Sequence, residues 1–229
     1  MPTISSGSAS NDRSPFDYDD SSLDALRSTV SPDRLSTYLA HTAGDEVQAF
    51  RLYVRNAALA SAFLGPLQVV EITLRNVFHS LLSEAYGSNW YDSLTLADAQ
   101  RRVVVNAKRS LRQERKIETP SRIVAECSFS FWVALSARRY DAMLWRSTLH
   151  RAFAPTPSRK AAFGQLDRLR TLRNRIAHHE PIFFRNLHAD YDRIGRLLKM
   201  MSPETARWMQ HHSRVPSTLA MPTAQATQF

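Results

Sequence analysis

A long run of apolar residues at helical spacing, residues 45–85, constrains the fold of this chain more than any other feature of its sequence. Apolar side chains that return every three or four positions lie on one face of an α-helix. The positions that carry the pattern are Phe50, Tyr53, Leu59, Phe63, Leu67, Val70, Leu74, Val77 and Leu81. Gly65 and Pro66 lie inside the run, and because proline lacks a backbone N–H we expect a kink or a break there. Gly87 is placed to end the helix.

Shorter segments with the same periodicity lie on both sides of this run. They predict helices over residues 31–41, 95–116, 123–135, 140–153, 158–178 and 189–201. No segment alternates with period two for long enough to indicate a sheet, and the chain has only six glycines. The sequence therefore predicts an all-α protein. It predicts a single domain over residues 21–210 between two polar, disordered tails, residues 1–20 and 211–229.

Charge and cysteine content limit the classes of partner and the compartment. The formal net charge is +9, mostly from arginine, and such a surface attracts polyanions such as RNA. A basic protein without a specific ligand has the same composition.

The single cysteine, Cys127, cannot form an internal disulfide and is typical of a core residue. The N-terminus lacks the apolar segment of a signal peptide, and no window shows the roughly 18 apolar residues of a membrane span. We expect a soluble, cytoplasmic protein without a membrane partner.

Residues 172–181, LRNRIAHHEP, concentrate the side chains best suited to chemistry. The proposed catalytic residues are Arg173 and His178, and the supporting residues are Asn174, His179 and Glu180. The same Arg-x4-His spacing recurs at Arg207 and His212, in a stretch that the sequence predicts to be a fraying tail. Spacing alone therefore does not identify a site, and the neighbouring residues have to distinguish the two sets.

Arg173 and His178 suit the cleavage of RNA by its own 2′-OH. An imidazole titrates near neutral pH, so it can accept the proton of the 2′-OH or protonate the leaving oxygen. A guanidinium can neutralise the charge that builds on the phosphorane, and no metal or cofactor is required. The two residues lie roughly 140° apart around a helix axis. Either Arg173 reaches round the helix, or a histidine of a second subunit completes the site.

Each of these residues also has a structural interpretation. Arg173 can be an exposed arginine in the last turn of a helix, and His178 a C-terminal histidine favoured by the helix dipole. Asn174 can cap or pack locally, Glu180 can pair with a nearby arginine, and His179 can face solvent. Taken singly, these interpretations compete with the functional one.

Four blocks of sequence resemble one known family when they are taken together and in order. They are residues 31–45 with 51–76, residues 86–91 (YGSNWY), residues 121–153 around SFSFW, and residues 172–183 (LRNRIAHHEPIF). The first block carries Arg34, Leu35, Tyr38, Leu39, Tyr53, Asn56, Leu59, Phe63, Glu71, Leu74, Arg75 and Asn76. This order of blocks resembles the Abi-like (abortive infection) family of the HEPN superfamily. The chain departs from the family pattern at Ser130, where glycine is usual, and at Cys127, where an aliphatic residue is usual.

The resemblance implies a HEPN-like helical bundle with additional N-terminal helices. It implies a metal-independent endoribonuclease of the toxin or antiviral-defence type, acting as a homodimer with two facing half-sites. RNA is the expected substrate, no cofactor is expected, and an antitoxin or a phage-derived trigger is a candidate further partner.

Two other sets of polar residues are candidates for contact with RNA. Glu71, Arg75 and Asn76 lie in the long apolar helix and are expected to line the cleft; Glu71 and Arg75 are spaced as an i, i+4 ion pair, which can be structural instead. Residues 95–116 form an arginine-rich helix, which is either a solvated face or a track for the RNA backbone. The candidate backbone contacts are Arg101, Arg102, Lys108, Arg109 and Arg112.

Two alternatives to catalysis stay open from the sequence. The first is a non-catalytic RNA-binding module, for which the basic surface is sufficient. The second is a module for protein interaction, including the sensing of a phage component. For Phe129, Phe131 and Trp132, a place in the core is the main expectation and stacking on bases is the alternative.

Overall fold

The structure is a computed structural model that describes residues 16–222, and all the secondary structure in that range is helical. The α-helices, in chain order, are α1 (Asp20–Val30), α2 (Pro32–His41), α3 (Glu46–Tyr86), α4 (Trp90–Ser93), α5 (Asp98–Gln113), α6 (Pro120–Glu126), α7 (Phe129–Ala134), α8 (Arg159–Ala177), α9 (Leu187–Met201), α10 (Pro203–His212) and α11 (Val215–Ala220). The predicted all-α class is confirmed. Helix α1, which the sequence analysis did not predict, begins where Asp19 caps the backbone N–H of Ser22.

The chain divides between Arg55 and Asn56 into two compact units, where the sequence predicted a single domain over residues 21–210. The first unit contains α1, α2 and the start of α3. It has contacts of its own, because Arg27 forms an ion pair with Glu46 at 2.8 Å and the rings of Tyr38 and Tyr53 lie 5.2 Å apart. The second unit, residues 56–221, contains the rest of α3 and all later helices.

Helix α3 runs without a break through Pro66, so the expected break is absent. An internal proline costs a helix about 3 kcal/mol, and buried side chains on both sides of it offset that cost. They are Leu59, Phe63, Leu67, Val70, Leu74, Phe78 and Leu82. The predicted apolar stripe holds as far as Leu74, after which Phe78 and Leu82 are the buried residues instead of Val77 and Leu81.

Helix α3 is also long and apolar enough to cross a membrane by length and composition, with a mean hydropathy of 1.5 in its best window. The sequence prediction that no window meets this test was therefore wrong. Within that window, 44% of the residues are buried inside the protein. The buried core helix of a soluble protein meets the same test, so this property alone does not place α3 in a membrane.

In the second unit, α5 packs against α6 and α7, α7 against α8, α8 against α9, and α10 and α11 against α9. Aromatic side chains fill the space between α3, α4 and α7. The rings of Phe131 and Trp132 lie 6.3 Å and 6.0 Å from Trp90, and all three side chains are buried. Phe129 is buried as well, so these aromatic residues are core, as mainly expected, and are not open to bases.

The predicted helix over residues 123–135 is two helices, α6 and α7, separated at Cys127 and Ser128. Ser128 has an extended backbone, with φ −65° and ψ 161°. The interruption is stabilised from within the core, because the indole Nε1 of Trp132 donates a hydrogen bond to the carbonyl of Cys127 at 3.2 Å.

The predicted helix over residues 140–153 is a series of short turns. A 3₁₀ turn (Arg138–Tyr140), a π-helical turn (Asp141–Trp145) and a second 3₁₀ turn (Leu149–Ala152) follow one another. Side chains compete for the backbone carbonyls here, since Ser147 Oγ donates to Met143 O at 2.6 Å and His150 Nδ1 lies 3.0 Å from Trp145 O.

The C-terminal prediction was wrong for residues 211–222. Helix α10 continues to His212 and α11 follows, and Val215 and Thr218 are buried. Ser202 caps α10 by accepting the backbone N–H of Thr205, and Pro203 stands in its first turn. Polar composition alone therefore does not indicate disorder in this segment. Residues 1–15 and 223–229, which complete the two predicted tails, lie outside the described residues.

Candidate functional site

The candidate segment forms the C-terminal end of α8. Ser158 caps the start of this helix by accepting the N–H of Ala161, and Leu166, Leu169, Leu172 and Ile176 form its buried face. The helix ends at Ala177 and His178 is its C-cap.

His179 follows in the left-handed conformation, with φ 55°. Its N–H donates to Ile176 O at 3.0 Å, and the N–H of Glu180 donates to Arg175 O at 2.8 Å. This is the Schellman arrangement, in which glycine is the usual residue at the left-handed position. A histidine there costs roughly 1–2 kcal/mol, and strain of this kind is concentrated at functional sites.

Arg173 faces α3 and lies beside Glu71. Its Nε is 3.7 Å from Glu71 Oε2, and their side chains are 41% and 25% exposed. The sequence predicted that Glu71 pairs with Arg75 on the same helix, and this was wrong. Arg75 Nε instead donates to Oδ1 of Asn76 at 3.0 Å. The structure thus brings Glu71 and Arg173 together, and it leaves Arg75 and Asn76 bonded to each other on α3.

His178 lies beyond the last turn of α8 and is exposed. Its backbone N–H donates to Asn174 O at 2.9 Å, but within residues 16–222 its imidazole forms no hydrogen bond or ion pair. Within the described residues Arg173 and His178 share no hydrogen bond or ion pair, and the ion pair of Arg173 is with Glu71. Asn174 is half-buried and contributes its carbonyl to the end of the helix.

Arg175, which the sequence analysis did not choose as a site residue, organises the turn after α8. Its Nη1 donates to Pro181 O at 3.2 Å, and its Nε lies 3.8 Å from Glu180 Oε2. Its guanidinium lies 5.1 Å from the centre of the Phe184 ring, within the range of a cation–π interaction. Glu180 therefore has the arginine partner that its structural interpretation required. The aromatic pair FF after Pro181 was the available signal for this cluster.

A buried hydrogen bond ties this turn to α3. The backbone N–H of Ile182 donates to Oδ1 of Asn56 at 2.7 Å, and Ile182 is fully buried. Asn56 belongs to the first family-like block and was not assigned a role. Since a buried N–H needs an acceptor, this bond fixes the position of the chain directly after His178, His179 and Glu180.

His79 lies one turn after Arg75 on α3 and is half-buried. Its Nδ1 accepts a hydrogen bond from Trp90 Nε1 at 3.0 Å and lies 3.3 Å from Ser83 Oγ. Burial, and secondarily the charge of Arg75, lowers the pKa of the His79 imidazole. Its Nδ1 serves as a hydrogen-bond acceptor for Trp90, and His79 was not a predicted site residue.

The arginine-rich helix α5 is partly neutralised by its own acidic neighbours. Arg101 pairs with Asp98, Arg112 pairs with Glu118, and Lys108 pairs with Asp92 at 2.7 Å. Two candidates, Arg102 and Arg109, are exposed and form no ion pair within the described range. Contact with an RNA backbone stays a prediction for this helix, and these two residues are its best-placed cations.

The second Arg-x4-His set lies in an ordered helix, not in a fraying tail. On α10, Arg207 pairs with Glu204 at 2.6 Å, and the ring of His212 lies 5.5 Å from Trp208. No left-handed turn follows His212, since Ser213 is extended with φ −82° and ψ 129°. The two sets therefore share a spacing and differ in their surroundings.

Cys127 is buried, and burial raises the pKa of its thiol to about 12. A thiol with such a pKa is not a nucleophile at neutral pH, which supports its assignment to the core.

A buried charged network that the sequence did not reveal joins α8 to α9. Asp190 accepts from both Arg193 and Arg185, and Arg193 Nε donates to Gln165 Oε1 at 2.6 Å. Burial lowers the pKa of Arg193. The network holds α9 against α8 and thereby supports the helix that carries Arg173.

No protein-family model matches the chain, and neither the curated proteins nor the solved structures provide a significant match. Within residues 16–222, no three His, Cys, Asp or Glu side chains come together in a group that could hold a metal ion.

Proposed function

We propose that this protein is a metal-independent endoribonuclease of the abortive-infection type, on a HEPN-like helical bundle, in which Arg173 and His178 act on RNA. The observation that carries the proposal is the end of α8. An exposed imidazole lies just beyond its last turn, and the half-exposed guanidinium of Arg173 lies one and a half turns earlier beside Glu71. His179, in the left-handed conformation, and the ordered turn after it follow His178 directly in the chain.

In this reaction the 2′-oxygen of the RNA attacks the adjacent phosphorus. His178 accepts the 2′-proton, or protonates the 5′-oxygen as the P–O5′ bond breaks. Arg173 stabilises the charge on the phosphorane. The products are a 2′,3′-cyclic phosphate and a 5′-hydroxyl, so no oxidant or water is consumed in this step.

The proposed site is shared between two subunits. Arg173 and His178 lie on different sides of α8 and do not touch, so one chain offers an arginine and a histidine that do not face one phosphate together. A homodimer would supply two imidazoles, one as base and one as acid. Mixing His178→Ala with Arg173→Ala subunits should then restore part of the activity, and a fully active monomer would contradict the sharing.

The decisive experiment is digestion of RNA in EDTA by the wild-type protein and by His178→Ala. The second Arg-x4-His set provides matched controls, Arg207→Ala and His212→Ala. We expect loss of cleavage in the first variant, retention in both controls, and cyclic phosphate ends on the products. Equal digestion patterns with and without His178 would end the proposal.

A non-catalytic RNA-binding or phage-sensing module on the same fold is the second candidate. The observation in its favour is that Arg173 is engaged by Glu71 and is not directed at His178. RNA binding that survives His178→Ala, with no cleavage by either protein, would support it.

In the endoribonuclease proposal the protein acts in the cytoplasm in antiviral defence, and an antitoxin or a phage-derived trigger controls it.

A further inference from the structure

We propose that Phe184 is a stacking position for one unpaired nucleobase beside the Arg173–His178 site, so that the substrate is single-stranded RNA. This inference rests on the proposed function, because it takes RNA as the ligand. Phe184 is 51% exposed, although it follows the buried Ile182 by only two residues.

The backbone next to Phe184 is fixed, so the ring cannot withdraw into the core. Ile182 is fully buried and its N–H is bonded to Asn56. Phe183 packs against the core and takes the inward position, and its ring lies edge-on to Phe184 at 5.5 Å. Phe183 therefore packs against the core, and the adjacent Phe184 lies at the surface of this turn.

The guanidinium of Arg175 packs on the Phe184 ring and places a positive charge beside it. The guanidinium of Arg175 lies 5.1 Å from the ring centre, and it is itself bonded to the carbonyl of Pro181. An exposed aromatic ring beside an arginine favours a ligand that combines a flat base with a phosphate. Arg175 lies in the last turn of α8 and His178 is the C-cap of that helix, so the Phe184 ring that Arg175 contacts and the proposed catalytic imidazole both lie at the C-terminal end of α8.

The proposed stacking determines which RNA can be the substrate. Both faces of a base inside a duplex are covered by its neighbours, so a side chain stacks only on a base that is unpaired or turned out. Double-stranded RNA of the same sequence cannot use Phe184.

The test uses a short single-stranded RNA that carries 2′-O-methyl at every position, so that it cannot be cleaved, and one 2-aminopurine, whose fluorescence falls on stacking. Phe184→Ala is expected to weaken binding by about tenfold or more and to remove most of the fluorescence quenching. Phe184→Trp should retain both. The matched control is Trp208→Ala, which removes another exposed aromatic side chain, on α10.

Unchanged binding by Phe184→Ala, equal losses in Phe184→Ala and Trp208→Ala, or equal affinity for duplex RNA would overturn the inference. Because the probe cannot be cleaved, the result is independent of catalysis. Normal cleavage of ordinary RNA together with Phe184-independent binding would overturn only the stacking position. Phe184-dependent binding by a protein that cleaves nothing would overturn only the endoribonuclease.

Discussion

Replacing Arg173 with alanine is expected to slow RNA cleavage by about 10²- to 10³-fold while leaving the fold almost intact. The structure gives this side chain one ionic partner, Glu71, at 3.7 Å, and the two side chains are 41% and 25% exposed. Partly exposed pairs of this kind contribute about 0–1 kcal/mol to the free energy of unfolding. In a chain of 229 residues this corresponds to a loss of at most roughly 2–4 °C in Tm.

The expected effect on cleavage is much larger. Removal of one preorganised donor to a charged transition state reduces the rate by about 10²- to 10³-fold. That is roughly 2.7–4 kcal/mol in activation free energy, which exceeds the expected loss of stability by at least about 1.7 kcal/mol. The two effects can therefore be separated by measuring both.

The assay combines thermal unfolding with the rate of RNA cleavage in EDTA, and α8 supplies the control. Arg170 lies on the same helix and pairs with Asp167 at 2.7 Å, with side chains that are 31% and 39% exposed. Arg170→Ala should cost a similar amount of stability and leave cleavage unchanged. The reasoning would be refuted if Arg173→Ala cleaves at the wild-type rate, or if both variants lose activity in proportion to their loss of stability.

Three further predictions concern the interior of the protein. Asn56→Ala should lower the free energy of unfolding by about 1–3 kcal/mol, because it leaves the buried N–H of Ile182 without an acceptor; a urea titration with no shift in midpoint would contradict this. Burial lowers the pKa of His79 below 6.5. As the pH falls, the unfolded chain therefore binds this proton before the folded protein does. The stability that neutral His79 contributes is complete above pH 6.5 and is lost as the pH falls below that value. Unfolding titrations near pH 7.5 and near pH 5 should show this loss, and His79→Gln, which keeps an acceptor for Trp90, should show a smaller one; equal losses would refute the assignment. Cys127, with its pKa raised to about 12, should react with a thiol reagent only as the protein unfolds, and Cys127→Ala should still cleave RNA; immediate labelling of the native protein would count against a buried thiol.

Features that depend on neighbours in sequence could be predicted well. The start of α8 follows from Ser158 as its cap, and the predicted range of 158–178 differs little from the observed Arg159–Ala177. Ser31 and Pro32 likewise begin α2, and Gly87 ends α3 with φ 85°. Capping residues and apolar spacing act within a few residues, and a single sequence displays both.

Features decided by packing between distant segments could not be predicted. The continuity of α3 through Pro66 depends on side chains that meet the rest of the core. The interruption at Cys127 depends on Trp132 reaching back to a carbonyl that an unbroken helix would have used. Intrinsic propensity is a weak guide in both places, because tertiary contacts outweigh it.

The candidate site shows the same division. The sequence pointed to Arg173 and His178 as candidates, which stays a prediction, and helix geometry determined the angle between them. It paired Glu71 with the nearest arginine on its own helix, whereas the structure pairs it with Arg173 on another. The role of Arg175 was equally hidden, because Phe184 becomes its partner only after the chain turns at Pro181.

The bond between Asn56 and Ile182 also has a consequence for the synthesis of the protein. It joins residues 126 positions apart, and at about 5–20 residues per second the ribosome needs roughly 6–25 s to pass from one to the other. During that interval α3 has been synthesised, but the segment around Ile182, whose N–H bonds to Asn56 on α3, has not. The groups proposed to cleave RNA are added after α3, so a chain whose translation stops before residue 173 carries neither of them.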